Sequence, residues 1–175
     1  MNMISRIKDG DIGQKSIKFS TTKIHCGAYG IVKKEDKIAL INVTHRGYYL
    51  LPGNIVTDNE DYRSSFLKTV FQQTGCKIDI EKVIGAIEEE RCLTRYKQTS
   101  YAFIANVIEA GKKEEYSDDE IFYGIKVEWI NEDRALSMIA NAYNNLNIDD
   151  AEDLYKIKFE VKRSQTILEE YLKNK

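Results

Sequence analysis

The stretch Leu51–Cys76 constrains the fold more than any other part of the chain. It holds the single proline, in Pro52-Gly53, directly after the short run Tyr48–Leu51. Proline fixes φ and glycine admits conformations closed to other residues, so Pro52-Gly53 reads as a tight loop at a strand end. A helix is expected from about Asn59 to Thr74. Asp58 or Asn59 can cap it by accepting the free N–H groups of its first turn. Gly75 suits the left-handed position that ends a helix. Phe66, Leu67, Val70, Phe71 and Thr74 form a stripe at i, i+3, i+4 spacing, the face that would meet a core. At about 100° per residue, Thr69, Gln72 and Gln73 share the neighbouring face.

Strand signals surround this helix. Ile24–Lys34 reads as a buried strand, Lys33–Lys37 as a charged hairpin turn and Ile38–Val43 as the returning strand. Ser16–Lys23, with Ile17 and Phe19 on one face, is expected as an edge strand. After the helix come strands at Cys76–Ile80, Lys82–Glu90, Thr99–Ile108 and Ile121–Ile130, with a polar, acidic loop over Ala110–Glu120. Helices are expected over Glu132–Tyr143 and Ala151–Lys173. Strands before, between and after helices imply an α/β fold with a mixed sheet. The chain reads as one domain over 1–175, with 1–23 an N-terminal extension and 149–175 a C-terminal helix.

The 175 residues contain 42% apolar residues, enough for a core and too many for disorder. The net charge of −2 gives no strong nucleic-acid signal, because phosphate binding needs a basic excess. Cys26, Cys76 and Cys92 are odd in number and widely spaced, which argues against a zinc site and for free thiols in a reducing, cytoplasmic setting. No window approaches the ~18 apolar residues of a membrane span.

Laid out in order, the central stretch resembles the Nudix box of a family that hydrolyses nucleoside diphosphates linked to another group. The family pattern is Gly, five residues, Glu, seven residues, Arg-Glu, an aliphatic residue, any residue, Glu-Glu, any residue, Gly and an aliphatic residue. Over residues 54–76, Asn54 stands at the first Gly, directly after Gly53. Glu60, Val70 and Gly75 match. Lys68 stands for Arg, Thr69 for the following Glu, Gln72 and Gln73 for the Glu pair, and Cys76 for the aliphatic residue. The resemblance covers roughly residues 24–140 and implies an α/β/α sandwich around a mixed sheet. It also implies that Glu60 and Lys68 tie the loop to the helix, and that the carboxylates holding magnesium or manganese are missing. Hard divalent cations bind anionic oxygen, whereas Thr69, Gln72 and Gln73 offer only neutral oxygens.

Three functions follow as expectations. The first is a disarmed Nudix scaffold that binds a nucleotide-like ligand, with Gly53, Asn54, Gln72, Gln73, His45 and Arg46 as candidate contacts and no metal at the box. The second is an active Mg- or Mn-dependent hydrolase with relocated acids: Glu60, Glu88 and Glu90 as metal ligands, and Glu120 in the loop that often supplies a further carboxylate. Alternation along the strand puts Glu88 and Glu90 on one face and Glu89 on the other. The third is a protein-interaction module. A homodimer through Leu154, Ile157, Val161 and Leu168 of the last helix is compatible with the sequence, as is docking of that stripe on its own domain.

Overall fold

A computed structural model describes residues 2–175. Its strands are β1 (Met3–Lys8), β2 (Ile24–Lys34), β3 (Lys37–Val43), β4 (Tyr48–Leu50), β5 (Gly53–Val56), β6 (Lys77–Arg91), β7 (Tyr96–Glu109) and β8 (Ile125–Asn131). Its α-helices are α1 (Tyr62–Thr74), α2 (Asp118–Tyr123), α3 (Glu132–Asn144) and α4 (Ala151–Lys173).

One path of paired strands runs β1-β6-β7-β2-β3-β4, with β5 added to β2 and β8 to β3. β1 pairs parallel with β6, and β2 parallel with β7 along its whole length. The β2–β3 hairpin pairs only at its tip, Lys33 with Ile38 and Lys34 with Lys37. Beyond the tip the arms separate. β5 fills in beside β2, and β4 beside β3. The Leu51–Gly53 turn joining β4 to β5 therefore crosses the mouth of a splayed hairpin.

Side chains alternate across this sheet and feed two cores. Val32, Ala39, Phe66, Val70 and Phe103 pack between the sheet and α1. Ile31, Leu40, Ile87, Ile139, Phe159 and Leu168 pack between the opposite face and α3 and α4. Helices on both faces of a mixed sheet make an α/β/α sandwich. Phe66 and Phe103 stack at 4.8 Å, and each fully buried side chain of this size stabilises by about 1.5–3 kcal/mol.

Four local expectations need correction. α1 begins at Tyr62, capped by Asp61, whose carboxylate accepts from Ser64 N at 2.8 Å. Asn59 adopts a left-handed φ of 69°, so it belongs to the turn before the helix. The buried face of α1 is Ser65, Phe66, Val70 and Thr74, while Leu67 and Phe71 are exposed at 39% and 51%. The edge strand is Met3–Lys8 rather than Ser16–Lys23, which forms no strand. The acidic loop ends in α2, which Ser117 caps, so β8 starts at Ile125.

The end of β1 is locked down by a buried carboxylate. Asp9, 1% exposed, accepts from Tyr155 Oη at 2.7 Å and from Cys92 N at 3.1 Å. Burial alone would raise its pKa, but the hydrogen bonds from Cys92 and Tyr155 outweigh it and hold the carboxyl below its usual range. The apolar stripe of α4 is buried in its own domain: Ile157, Val161 and Leu168 are 4% exposed or less. Leu154, the fourth residue of that stripe, is half-buried. No helix among the described residues is long and apolar enough to cross a membrane.

Candidate ligand-binding site at the box loop

The Leu51–Gly53 turn is pinned at every residue. Leu51 N donates to Ser164 Oγ of α4 at 3.1 Å. Pro52 O accepts from Gly30 N of β2 at 3.0 Å. Gly53 N donates to Gln73 Oε1 at 3.0 Å, and Gln73 Nε2 donates to Gly53 O at 3.1 Å. The Gln73 amide thus pairs with both polar atoms of Gly53. A carboxylate could take the first bond but has no proton at neutral pH for the second. Gly53 itself has φ +143°, and a Cβ there would lie 2.3 Å from Ala28 O. Only glycine fits so close to the backbone of β2.

The remaining box residues keep the loop in register. Glu60 accepts from Thr57 Oγ1 at 2.9 Å and sits 3.8 Å from Lys68 Nζ. The Thr57 hydrogen bond, with smaller help from Ser65 and Lys68, lowers its pKa. Asn54 Oδ1 accepts from Ile55 N at 2.8 Å. Gln72 does not share the surroundings of Gln73. It is exposed and faces the Lys112–Glu115 segment.

Gln73 opens on a cavity of about 250 Å³, walled by Tyr48, Leu50, Glu120, Lys126 and Glu160. Glu120 is tied to Lys113 Nζ at 2.5 Å. Burial would raise its pKa, but the Lys113 hydrogen bond and the Ser117 cap lower it overall. Glu160 reaches this cavity from α4 and also lines a second one of about 450 Å³. That cavity lies between Asn54 and Ile55 on one side and α4 on the other. Its floor includes Tyr29, Arg91, Gln98 and Arg163.

Behind this floor lies a buried ion cluster. Glu89, 1% exposed, accepts from Arg91 Nη2 at 2.6 Å, Arg91 Nε at 3.0 Å and Arg163 Nη1 at 2.5 Å. Arg163 also lies over the Tyr29 ring at 3.8 Å. Burial opposes the charge on Arg163, but Tyr29, Glu89 and Glu160 outweigh it and raise its pKa.

Of the other candidates, Arg46 reaches the same groove. Its Nη2 donates to Asp153 Oδ2 at 2.9 Å, beside Tyr48 and Glu160. His45 turns away, with Nδ1 at 2.6 Å from Phe122 O, and holds α2 in place. Glu88 and Glu90 do share one face of β6, but β7 and β2 separate β6 from β5. They also pair with cations: Glu88 with Arg6 at 2.6 Å, and Glu90 with Lys8 at 3.7 Å and Lys97 at 3.8 Å. They cannot join Glu60 or Gln73 around one ion. Among the described residues no three His, Cys, Asp or Glu side chains are grouped to hold a metal. The donors at the box therefore do not fit a hard divalent cation. A cavity of about 840 Å³ lies at the β2–β3 tip between Lys33, Asp36, Asp133 and Lys175, and contains no box residue.

The sequence reading missed Arg91, Gln98, Glu160 and Arg163. Alternation separates Glu89 from Glu88 and Glu90, and the structure shows that the Glu89 face is the buried one, where a charge requires a buried cation. Arg163 is the cation that interrupts the apolar face of α4.

The chain superposes on a NUDIX hydrolase from Nitrosomonas europaea with a TM-score of 0.63, over 87% of this chain and 91% of that one, at 15% identity. The fold is Nudix-like. A UDP-X diphosphatase matches this Nudix-like sandwich at TM-score 0.56 and 13% identity, over 90% of this chain and 67% of that one. An ADP-ribose pyrophosphatase from Streptococcus suis matches at 0.51 and 15%, over 83% and 90%. No family model and no curated protein matches the sequence.

Proposed function

We propose that this Nudix-fold chain binds a nucleotide-like diphosphate ligand at the box loop without the metal-dependent hydrolysis that a complete box would support. The observation that carries the reading is the Gln73–Gly53 pairing. The helix position that would offer a carboxylate offers an amide already engaged by both its atoms, and Thr69 and Gln72 supply no charge. Two fold neighbours are described as an ADP-ribose pyrophosphatase and a UDP-X diphosphatase, which supports a nucleotide-like ligand. The cavity beside Asn54, floored by arginines, tyrosines and an amide, is of a size and chemistry to hold part of one. Cys26, Cys76 and Cys92 are unpaired, in keeping with a reducing cytoplasm.

Thermal melting with ADP-ribose and UDP-glucose, in EDTA and in Mg²⁺, tests binding. Ligand at about 100 times Kd should stabilise by about 2.7 kcal/mol, a rise of roughly 5–10 °C for a chain of this size. The rise should be the same in EDTA. A rise that appears only with the metal overturns the reading.

An active hydrolase with relocated acids is the second reading. It draws on Glu120 and Glu160, which share the cavity of Gln73. It requires that Glu120→Gln or Glu160→Gln abolish metal-dependent turnover.

A further inference from the structure

Two surface strips of the chain carry large apolar side chains and opposite charge. One is Glu114–Tyr123, the acidic loop with α2. Ile121 and Phe122 of α2 are 64% and 71% exposed, and Tyr116 before them is exposed as well. Glu114, Glu115, Asp118 and Asp119 surround them, are all exposed, and have no ion-pair partner among the described residues. The neighbouring cation, Lys113, is taken by Glu120. A Phe and an Ile standing side by side in water mark a contact surface more than a scattered residue does.

The other strip is Gln14–Lys23, which crosses the surface without pairing to any strand. It contains no acid. Lys15, Lys18 and Lys23 are exposed and unpaired among the described residues, and Ile17 between them is 61% exposed. The start of α4 stands between the two strips. Asp153 lines one cavity with Thr94 and Tyr96, next to the contact of Cys92 Sγ with Lys15 O at 3.7 Å. It lines another with Tyr123 of α2. Both strips therefore flank the same end of α4.

We propose that the α2 strip of one chain docks the Gln14–Lys23 strip of a second copy, and that a twofold axis near the start of α4 repeats the contact in reverse. Each lysine strip then meets unpaired carboxylates, and Ile17 meets the apolar pair Ile121 and Phe122. Charge complementarity of this kind fixes the partner and the register. A twofold arrangement uses both strips of both chains and closes, whereas a single head-to-tail contact would propagate. The strips supply ten residues each, which together reach the lower end of the roughly 20–30 per side of a standard interface. The contact is independent of the nucleotide-binding reading and leaves the apolar stripe of α4 within its own domain.

Analytical ultracentrifugation of the full chain tests the assignment. At about 100 μM, above the micromolar limit for contacts of standard size, the wild type should sediment with twice the mass of one chain. One variant carries Lys15→Glu, Lys18→Glu and Lys23→Glu together. The other carries Glu114→Lys, Glu115→Lys, Asp118→Lys and Asp119→Lys. Every one of these side chains is exposed, and unchanged far-UV circular dichroism checks that each variant is folded. Each variant alone sets like charges against each other and should be monomeric. Mixed one to one, they should dimerise again, because every basic strip then faces an acidic one. A monomeric wild type overturns the proposal. So does a dimer that either variant keeps, or a mixture of folded variants that stays monomeric.

Discussion

Glu89→Gln should destabilise the chain by about 3–5 kcal/mol, lowering the melting temperature by roughly 10 °C. The carboxylate accepts from two arginines that are 6% and 3% exposed, and almost no water reaches any of the three. Neutralising it strands two like charges beside each other in a medium that cannot solvate them. The amide can also accept fewer charge-assisted bonds than the carboxylate. Replacing all three together, as Glu89→Leu, Arg91→Met and Arg163→Met, should cost far less, since the desolvation penalty leaves with the charges. Chemical denaturation of the two variants checks this. A single variant as stable as the wild type would mean that water enters the cluster.

Gly53→Ala should cost about 3 kcal/mol or more, through backbone strain and a clash that no side chain can relieve. The new Cβ would lie 2.3 Å from Ala28 O and 2.6 Å from Tyr29 Cα, both backbone atoms of β2. Moving Gly53 away breaks both of its bonds to Gln73 and drags on Pro52 O, which accepts from Gly30 N. Gly10→Ala is the matched control, since a Cβ at Gly10 meets nothing within 4 Å. Equal melting temperatures for the two variants would show that the turn is free to relax.

Much of the fold was legible because its signals are local. Pro52-Gly53 marks the loop, Gly75 stops α1, and short-range alternation marks most of the strands. The parts that were not legible depend on distant partners. Met3–Lys8 becomes a strand because β6 offers a parallel edge to it, and nothing within six residues announces that partner. The buried stripe of α1 is narrower than its apolar residues suggest, because Leu67 and Phe71 both face outward. Its Phe71 points outward because Thr74 and Val70 already fill the space against the sheet, with Thr74 Oγ1 donating to Val70 O at 2.8 Å.

The site shows the same division. Loss of charge at Thr69, Gln72 and Gln73 was readable from residue type and helical spacing. The separate surroundings of Gln72 and Gln73 were not, because the splayed β2–β3 hairpin decides which of them meets Gly53. Glu88 and Glu90 share a face as alternation requires, yet strand order carries that face away from the box. Arg163 lies 74 residues from Glu89 in sequence, and only the packing of α4 on the sheet brings them together.

The most direct test is turnover by the wild-type chain. ADP-ribose and UDP-glucose would be incubated with Mg²⁺ and with Mn²⁺ and followed by ³¹P NMR. Hydrolysis should not exceed the protein-free control, even at ligand concentrations that raise the melting temperature. Metal-dependent cleavage that scales with protein and survives repeated purification would contradict the account, and would make Glu120 and Glu160 the residues that hold the metal.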